Sequence, residues 1–203
     1  MKLYGAPMPA PNPRRVRIFL AEKGLDVPET PLDMRKREHK SDEHKARNSL
    51  GQVPTLELDD GTTISETVAI CRYFEETHPS PPLFGSTPIE KAMVDMWVRR
   101  LEFHLMAPVG NFWRHAHPFT AALLTQYKDI GESNRETYAG AQRWLDRELA
   151  GRDFIVGETF GIADICALTT VDFATWIGLP IDPERENLTA WHALVSARPS
   201  AAA

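Results

Sequence analysis

The chain has 203 residues, 42% of them hydrophobic and 25% charged, a balance that suits a globular protein of one large domain or two small ones. The formal net charge is −5 and the pI about 5.8, so no basic surplus exists to displace counterions, and nucleic acid is not an expected partner. The two cysteines, Cys71 and Cys166, sit in apolar runs and read as small buried hydrophobes. Without a CxxC pair, dithiol exchange and zinc knuckles are disfavoured, and no metal is expected. The opening has no apolar signal core, and nowhere is there an apolar run of about 18 residues. The cytoplasm is therefore the expected address, and no membrane association is expected.

Lys2-Leu3-Tyr4 reads as a short strand, followed by a proline-crowded loop from Pro7 to Pro13. The spacing of Val16, Phe19 and Leu20 predicts a helix over Arg14–Lys23, with Gly24 as its left-handed stop. Val27–Leu32 reads as a second strand, restricted to an edge by Pro28 and Pro31. The charge-dense stretch Arg35–Arg47 reads as a solvated loop with a helical turn. Val53–Leu58 and Thr62–Ile64 form a hairpin pattern around the turn Asp59-Asp60-Gly61, and Glu66–Thr77 reads as a helix burying Ile70, Cys71 and Phe74.

This βαβ, loop, ββα order closes by residue 78. Pro79 to Pro88 then holds four prolines and Gly85, the composition of an interdomain linker. Beyond it the spacing turns helical. Met93, Trp97, Leu101, Leu105 and Phe112 mark a long helix interrupted by Pro108. Tyr138, Ala141, Leu145 and Leu149 mark a second, ending at Gly151. Ile162 to about Trp176 forms a third and Leu188–Ala197 a short fourth. The expected organisation is an α/β domain over 1–78, a linker over 79–88 and an all-helical domain over 89–203.

Two junctions carry recognisable patterns, the first with a chemical reading and the second a structural one. Ile64-Ser65-Glu66-Thr67 joins a strand to a helix, whose unpaired N-terminal amides suit a carboxylate. The Thr67 hydroxyl either joins such an anion site or merely caps the helix, while Glu66 can pair with an ammonium. Phe160-Gly161-Ile162-Ala163-Asp164-Ile165 reads as a helix N-terminal box with a hydrophobic staple from Phe160 to Ile165.

Taken in order, several segments resemble the cytosolic glutathione transferase family: Lys2-Leu3-Tyr4-Gly5, Arg15-Val16-Arg17, Leu20-Ala21-Glu22-Lys23-Gly24, Gly51-Gln52-Val53-Pro54, Leu56-Glu57-Leu58-Asp59-Asp60-Gly61, Ser65-Glu66-Thr67-Val68-Ala69-Ile70 and Ala197-Arg198-Pro199-Ser200. The resemblance implies a thioredoxin-like N-terminal domain, an all-helical C-terminal domain, glutathione as cosubstrate, a small hydrophobic electrophile, a detoxification role and a homodimer. In such a fold a cis-proline opens the third strand, so Val53 before Pro54 would pair through its backbone with the cysteinyl residue. Glu66 and Thr67 would take the ammonium and carboxylate of the γ-glutamyl end. His39 and Lys40 resemble the basic residues that hold the glycyl carboxylate. The family usually has Ser or Thr where Gly161 stands, and glycine caps only a few tenths of a kcal/mol worse.

Conjugation requires a thiolate, and a free thiol has a pKa of about 8.5. Members of the family generally lower it with a Tyr, Ser or Cys just after the first strand, but Ala6–Arg14 contains none of these. Tyr4 lies within the strand and reads as core. One reading is therefore a non-catalytic relative that binds ligands or partners. In the other, the N-terminal amides of the first helix hold the thiolate, with Asn12 as a neutral donor. The chain is similar to a subclass without the usual residue, which draws instead on the first long helix of the second domain. There Arg100, His104, Pro108, Asn111 and His115 recur at spacings of four and three, beside Phe112. His104 would assist the thiolate, directly or through water, while Asn111, Phe112 and His115 would meet the electrophile. Pro108 would kink the helix.

Overall fold

A computed structural model describes residues 1–203, which divide into two compact units: Met1–Leu83 with Pro199–Ala203, and Phe84–Arg198. The first unit runs β1 (Lys2–Gly5), α1 (Pro11–Lys23), β2 (Glu29–Pro31), a 3₁₀ turn (Glu38–Lys40), α2 (Asp42–Arg47), β3 (Thr55–Glu57), β4 (Thr63–Ser65) and α3 (Thr67–Thr77). Its sheet has the order β2-β1-β3-β4, with β1 parallel to β2 and antiparallel to β3, and with β4 antiparallel to β3. Leu3, Val16, Phe19, Leu56, Ile70, Cys71 and Phe74 are buried in the core. Strands this short carry little stability alone; the apolar faces of α1 and α3, which pack together, complete the unit. This is the expected thioredoxin-like arrangement.

The register decides where the connections lie. Tyr4 pairs with Thr55, and Thr55 pairs with Ser65. The next rank, Gly5, Pro54 and Glu66, therefore lies at one end of the sheet. The β1–α1 loop, the Gln52–Val53 turn and the β4–α3 junction emerge there together.

Two local expectations change. Helix α1 begins at Pro11, three residues earlier than Arg14. The first amides of a helix have no intrahelical partner, so the prolines at 11 and 13 forfeit nothing there, and the fixed φ of Pro11 favours the first turn. The helical turn read within the solvated stretch 35–47 extends to the six residues of α2, whose His44 is buried, and is started by the Ser41 hydroxyl accepting from the amide of His44 at 3.2 Å. Gly24 ends α1 as expected, at φ 65°, donating to the Ala21 carbonyl.

The proline-rich stretch is tied down at its start. Lys23, whose side chain is 0% exposed, lies 2.6 Å from the Glu75 carboxylate and also donates to the carbonyls of His78 and Pro81. Glu75 in turn accepts from the Leu83 amide at 3.1 Å. A buried pair persists only when its remaining donors and lone pairs are satisfied, and here backbone groups of residues 78–83 satisfy them. The last residues, read from sequence with the helical half, pack in the first unit: Arg14 donates to the Ala201 carbonyl at 2.7 Å, and the Ser200 hydroxyl bonds the Glu22 carboxylate.

The second unit comprises α4 (Pro88–Leu101), a π turn (Glu102–Met106), α5 (Ala107–His115), α6 (Pro118–Ala121), α7 (Lys128–Glu148), α8 (Ile162–Trp176) and α9 (Glu186–Ser196). A full capping box starts α4, with Thr87 accepting from the Glu90 amide and Glu90 accepting from that of Thr87. The interruption expected at Pro108 takes the form of a wider turn. Proline lacks the N–H and crowds the carbonyl four residues back, and the π turn just ahead of it relieves both, with Ala107 donating to the Glu102 carbonyl. No helix is long and apolar enough to cross a membrane.

Helix α8 is apolar nearly all round and buried along most of its length. At its start, Gly161 has no hydroxyl to give, so only the acidic half of the box forms. Asp164 accepts from the amides of Gly161 at 3.1 Å and Ile155 at 3.0 Å, and from the indole of Trp191 at 2.9 Å. Gln142 and Asp146 of α7 bind the backbone of Pro180, Asp182 and Leu188, holding the entry to α9.

Burial pushes the Asp164 carboxyl up to about 6 from its ordinary 3.8, against the hydrogen bonds from Trp191, Ile155, Gly161 and its own amide that pull it down. A carboxyl whose folded pKa is raised holds its proton more tightly in the folded protein. Its stabilisation is complete below pH 3.8 and is lost as the pH rises through about 6. Asp164→Asn does not titrate. The excess unfolding free energy of wild type over this variant should therefore fall by roughly 3 kcal/mol between about pH 3 and about pH 7, in urea denaturation. A difference that stays flat would mean that the donors offset the burial and leave the folded carboxyl at its ordinary pKa.

Candidate active site

At the shared end of the sheet in the first unit, three segments come together. The Val53–Pro54 bond is cis. Gly51 has φ 56°, and a Cβ there would stand 2.7 Å from the His39 carbonyl oxygen and 3.4 Å from Lys40 Nζ. Only glycine fits both the angle and the approach, and this contact sets the 3₁₀ turn of His39 and Lys40 against the Gly51–Val53 segment. Lys40 donates to the Leu50 carbonyl at 2.9 Å. His39 is half-buried, and burial, followed by the nearby charges of Lys40, His44 and Arg37, depresses its pKa.

Across the hairpin, Glu66 is exposed and stands at φ 70°, ψ 121°, at the mouth of α3. Thr67 is the first residue of that helix and is buried. Glu66 is one of two non-glycine residues with positive φ, and its ψ lies well outside the left-handed helical region. The structure thus brings Val53, Glu66, Thr67, His39 and Lys40 to one end of one sheet.

Asn12 sits in the first turn of α1, on the connection from β1 that leaves at the same end. The plural amides expected there reduce to one. Pro11 and Pro13 have no N–H, and the Arg14 amide faces the Ala10 carbonyl at 3.5 Å, which leaves the Asn12 amide. The Asn12 side-chain oxygen accepts from Arg15 at 3.1 Å. Because a guanidinium only donates, the Asn12 carboxamide oxygen must face it, and the NH₂ points the other way. Tyr4 is committed elsewhere. Its ring lies 4.4 Å from the Arg47 guanidinium, its hydroxyl bonds Glu57, and burial together with that bond raises its pKa.

In the helical unit, the candidates of the first long helix lie along α7. His104, in the π turn, is exposed, with its ring centroid 6.3 Å from that of Trp144. Arg100 lies over Trp97, which stacks on Trp144. Asn111 donates to Asn134 at 3.3 Å, and the His115 ring accepts from the Tyr127 amide at 3.4 Å. Phe112 and Pro108 are buried, with the Arg135 guanidinium 4.6 Å from the Phe112 ring. The uninterrupted α-helical spacing behind the stripe does not hold through the π turn, which inserts a residue and rotates the helix beyond it. Beside it, Trp113, His117, Phe119, Phe173 and Trp176 form a cluster of mutually packed rings that sequence spacing did not assemble.

A second polar constellation has a hydrolase-like composition but the wrong geometry. Asp172 and Ser196 both approach Nε2 of His192, at 2.6 and 3.5 Å. A relay needs the two ring nitrogens to serve different partners.

A βαβ–ββα unit with the cis-proline turn and an acidic residue ahead of its last helix, joined to an all-helical unit, defines a class of thioredoxin-fold transferases. Comparison with known proteins agrees. The family model described as glutathione S-transferase, N-terminal domain, matches residues 10–77, and that described as glutathione S-transferase, C-terminal domain, matches residues 114–199. Glutathione S-transferase 2 of Saccharomyces cerevisiae is 37% identical over 204 residues, covering 98% of this chain and 87% of the relative. The crystal structure of Gtt2 from the same yeast superposes with a TM-score of 0.92 at 36% identity, covering 98% of each chain. A glutathione S-transferase domain-containing protein of Marinobacter aquaeolei VT8 gives the same TM-score at 37% identity, covering 98% of this chain and 99% of the other. The chain belongs to the glutathione S-transferase family.

Sequence reading overlooked the buried residues behind the turn. The Gln52 carbonyl accepts from His44 Nε2 at 2.8 Å, Asn48 Nδ2 at 3.0 Å and Thr55 Oγ1 at 3.2 Å. One signal was available: Ser41 followed by Asp42 and Glu43 is a helix start, which would have placed His44 on a helix. Nothing local says that the helix turns His44 inward.

With its phenol directed at Glu57, Tyr4 is expected to take no part in activating a thiol. Tyr4→Phe should keep its conjugation rate with a chloronitrobenzene acceptor within about threefold of wild type, the loss of one half-exposed hydrogen bond affecting stability by only about 1 kcal/mol. A rate collapse at unchanged stability and glutathione affinity would assign the phenol to catalysis.

Proposed function

We propose that the chain is a glutathione transferase that conjugates the thiolate of glutathione to small hydrophobic electrophiles. The observation that carries this reading is Glu66. A non-glycine residue held at φ 70°, ψ 121° costs on the order of 1–3 kcal/mol, and such strain persists where the surroundings over-determine it, commonly at ligand sites. This backbone aims an exposed carboxylate from the mouth of α3, at the sheet end shared with Val53. Glu66 takes the γ-glutamyl ammonium, and the first amides of α3 with Thr67 take its carboxylate. Val53 pairs with the cysteinyl backbone, and His39 with Lys40 takes the glycyl carboxylate. The names of the relatives support turnover rather than ligand binding alone.

For the thiolate, Asn12 offers one amide and one carboxamide NH₂ at a helix start. A helix end contributes ~0.3–1 kcal/mol, up to ~2 when partly buried, which is about one pKa unit. Lowering a thiol from about 8.5 to near neutrality takes more. His104 is the further donor in this reading, supported by the family resemblance and by its exposed ring. Asn111 and His115, flanking the buried Phe112, serve the electrophile. A homodimer, a cytoplasmic address and a detoxification role complete the proposal, again on the resemblance.

Two measurements test it. Glu66→Ala should weaken glutathione binding in calorimetry by ~1–3 kcal/mol while leaving the unfolding midpoint nearly unchanged. Unaltered affinity would remove Glu66 from the site. His104→Ala and Asn12→Ala should each raise the midpoint of the ultraviolet thiolate titration of the glutathione complex, because hydrogen bonding favours the charged form, and should slow conjugation most below neutral pH. A midpoint that moves in Asn12→Ala alone would exclude His104 from the chemistry.

A further inference from the structure

Three polar side chains that touch no expected ligand atom converge behind the Gln52–Val53 turn. His44, Asn48 and Thr55 are 1%, 6% and 0% exposed, and they come from α2, the segment after it, and β3. All three donate to one acceptor, the Gln52 carbonyl oxygen. Because a carbonyl only accepts, His44 must carry its proton on Nε2, and its buried Nδ1 has no partner. Asn48 also accepts from the Leu50 amide at 3.1 Å, and its own carbonyl accepts from the Gly51 amide at 2.7 Å. The turn from 48 to 52 is thus held at the Asn48 and Gln52 carbonyls and at the Leu50 and Gly51 amides.

Burying three polar side chains is unfavourable unless something is gained, since apolar residues would fill the same space more stably. Gln52 itself is exposed, so the grip does not serve its side chain. What the grip fixes is the Gln52–Val53 peptide plane, and with it the direction of the Val53 N–H. We propose that His44, Asn48 and Thr55 are positioning residues for glutathione, orienting the Val53 backbone to receive the cysteinyl residue. This rests on the reading of Val53 as the backbone contact. The trio acts on binding of the tripeptide and leaves the chemical step alone, because it is aimed at a peptide plane and away from any group offered to the sulfur.

Thr55→Val removes one donor while keeping the side chain's shape, and Thr55→Ser restores the hydroxyl. His44→Leu and His44→Gln form a second such pair, since the glutamine amide can replace the Nε2 donor. Thr55→Val and His44→Leu should each raise KM for glutathione about tenfold, with kcat at saturating glutathione within about twofold of wild type. Thr55→Ser and His44→Gln should recover most of the loss. Should His44→Leu fail to fold, the threonine pair still decides. An unchanged KM in Thr55→Val beside a raised KM in Glu66→Ala overturns the positioning role alone. An unchanged KM in both overturns the reading of the site and this inference with it. A fall in kcat equal to the rise in KM, unrelieved by Thr55→Ser, marks general damage to the fold and also overturns it.

Discussion

Tyr4, Thr55 and Ser65 stand side by side across three strands, and the candidate site depends on that alignment. A slip of one residue in either pairing would turn every side chain of the slipped strand to the other face. It would also part Gly5, Pro54 and Glu66, which lie in one rank at the end of the sheet. Thr55 serves twice, pairing with both neighbouring strands while its hydroxyl reaches back to the Gln52 carbonyl. The register and the conformation of the turn are thereby coupled through one buried residue.

The buried polar groups fall where the chain has to be held in an irregular path. Lys23 and Glu75 bind backbone groups of residues 78–83, where the prolines leave few amides for regular structure. Asp164 gathers the amides of Ile155 and Gly161 and the Trp191 indole at the start of α8. His44, Asn48 and Thr55 hold the turn before β3. In each case a side chain supplies the partner that a loop's backbone cannot find in a helix or strand, and without which its burial would be unfavourable.

The two prolines of α1 and the one beside the π turn illustrate one constraint with two outcomes. At positions 11 and 13 the missing N–H falls where helices have no use for it, so the helix forms unaltered. It also removes competitors, leaving the Asn12 amide as the donor of that turn. At position 108 the missing N–H falls inside a helix, and the chain responds with a wider turn that contains His104. The same residue type thus simplifies one candidate donor site and reshapes the helix that carries another.

The hydrophobic spacing of Val16, Phe19 and Leu20, of Ile70, Cys71 and Phe74, and of the α8 stretch was enough to determine the helices and their buried faces. Burial follows periodicity whatever the partner is. Gly24 was likewise legible, because a left-handed helix stop is a local requirement, and the Val53-Pro54 turn was legible through the family resemblance. The inward face of α2, the pairing that aligns Tyr4 with Thr55 and Ser65, the π turn before Pro108 and the strained backbone of Glu66 were not. Each depends on residues distant in sequence: three donors from separate segments meeting at one carbonyl, or strands brought into register by a core that neither contains alone. The sequence by itself, through its spacing and its family resemblance, nominated residues for a charged tripeptide and outlined the longer helices. Only the tertiary structure decided that five of those residues share one end of a sheet, since closeness across strands comes from packing and register rather than from spacing along the chain.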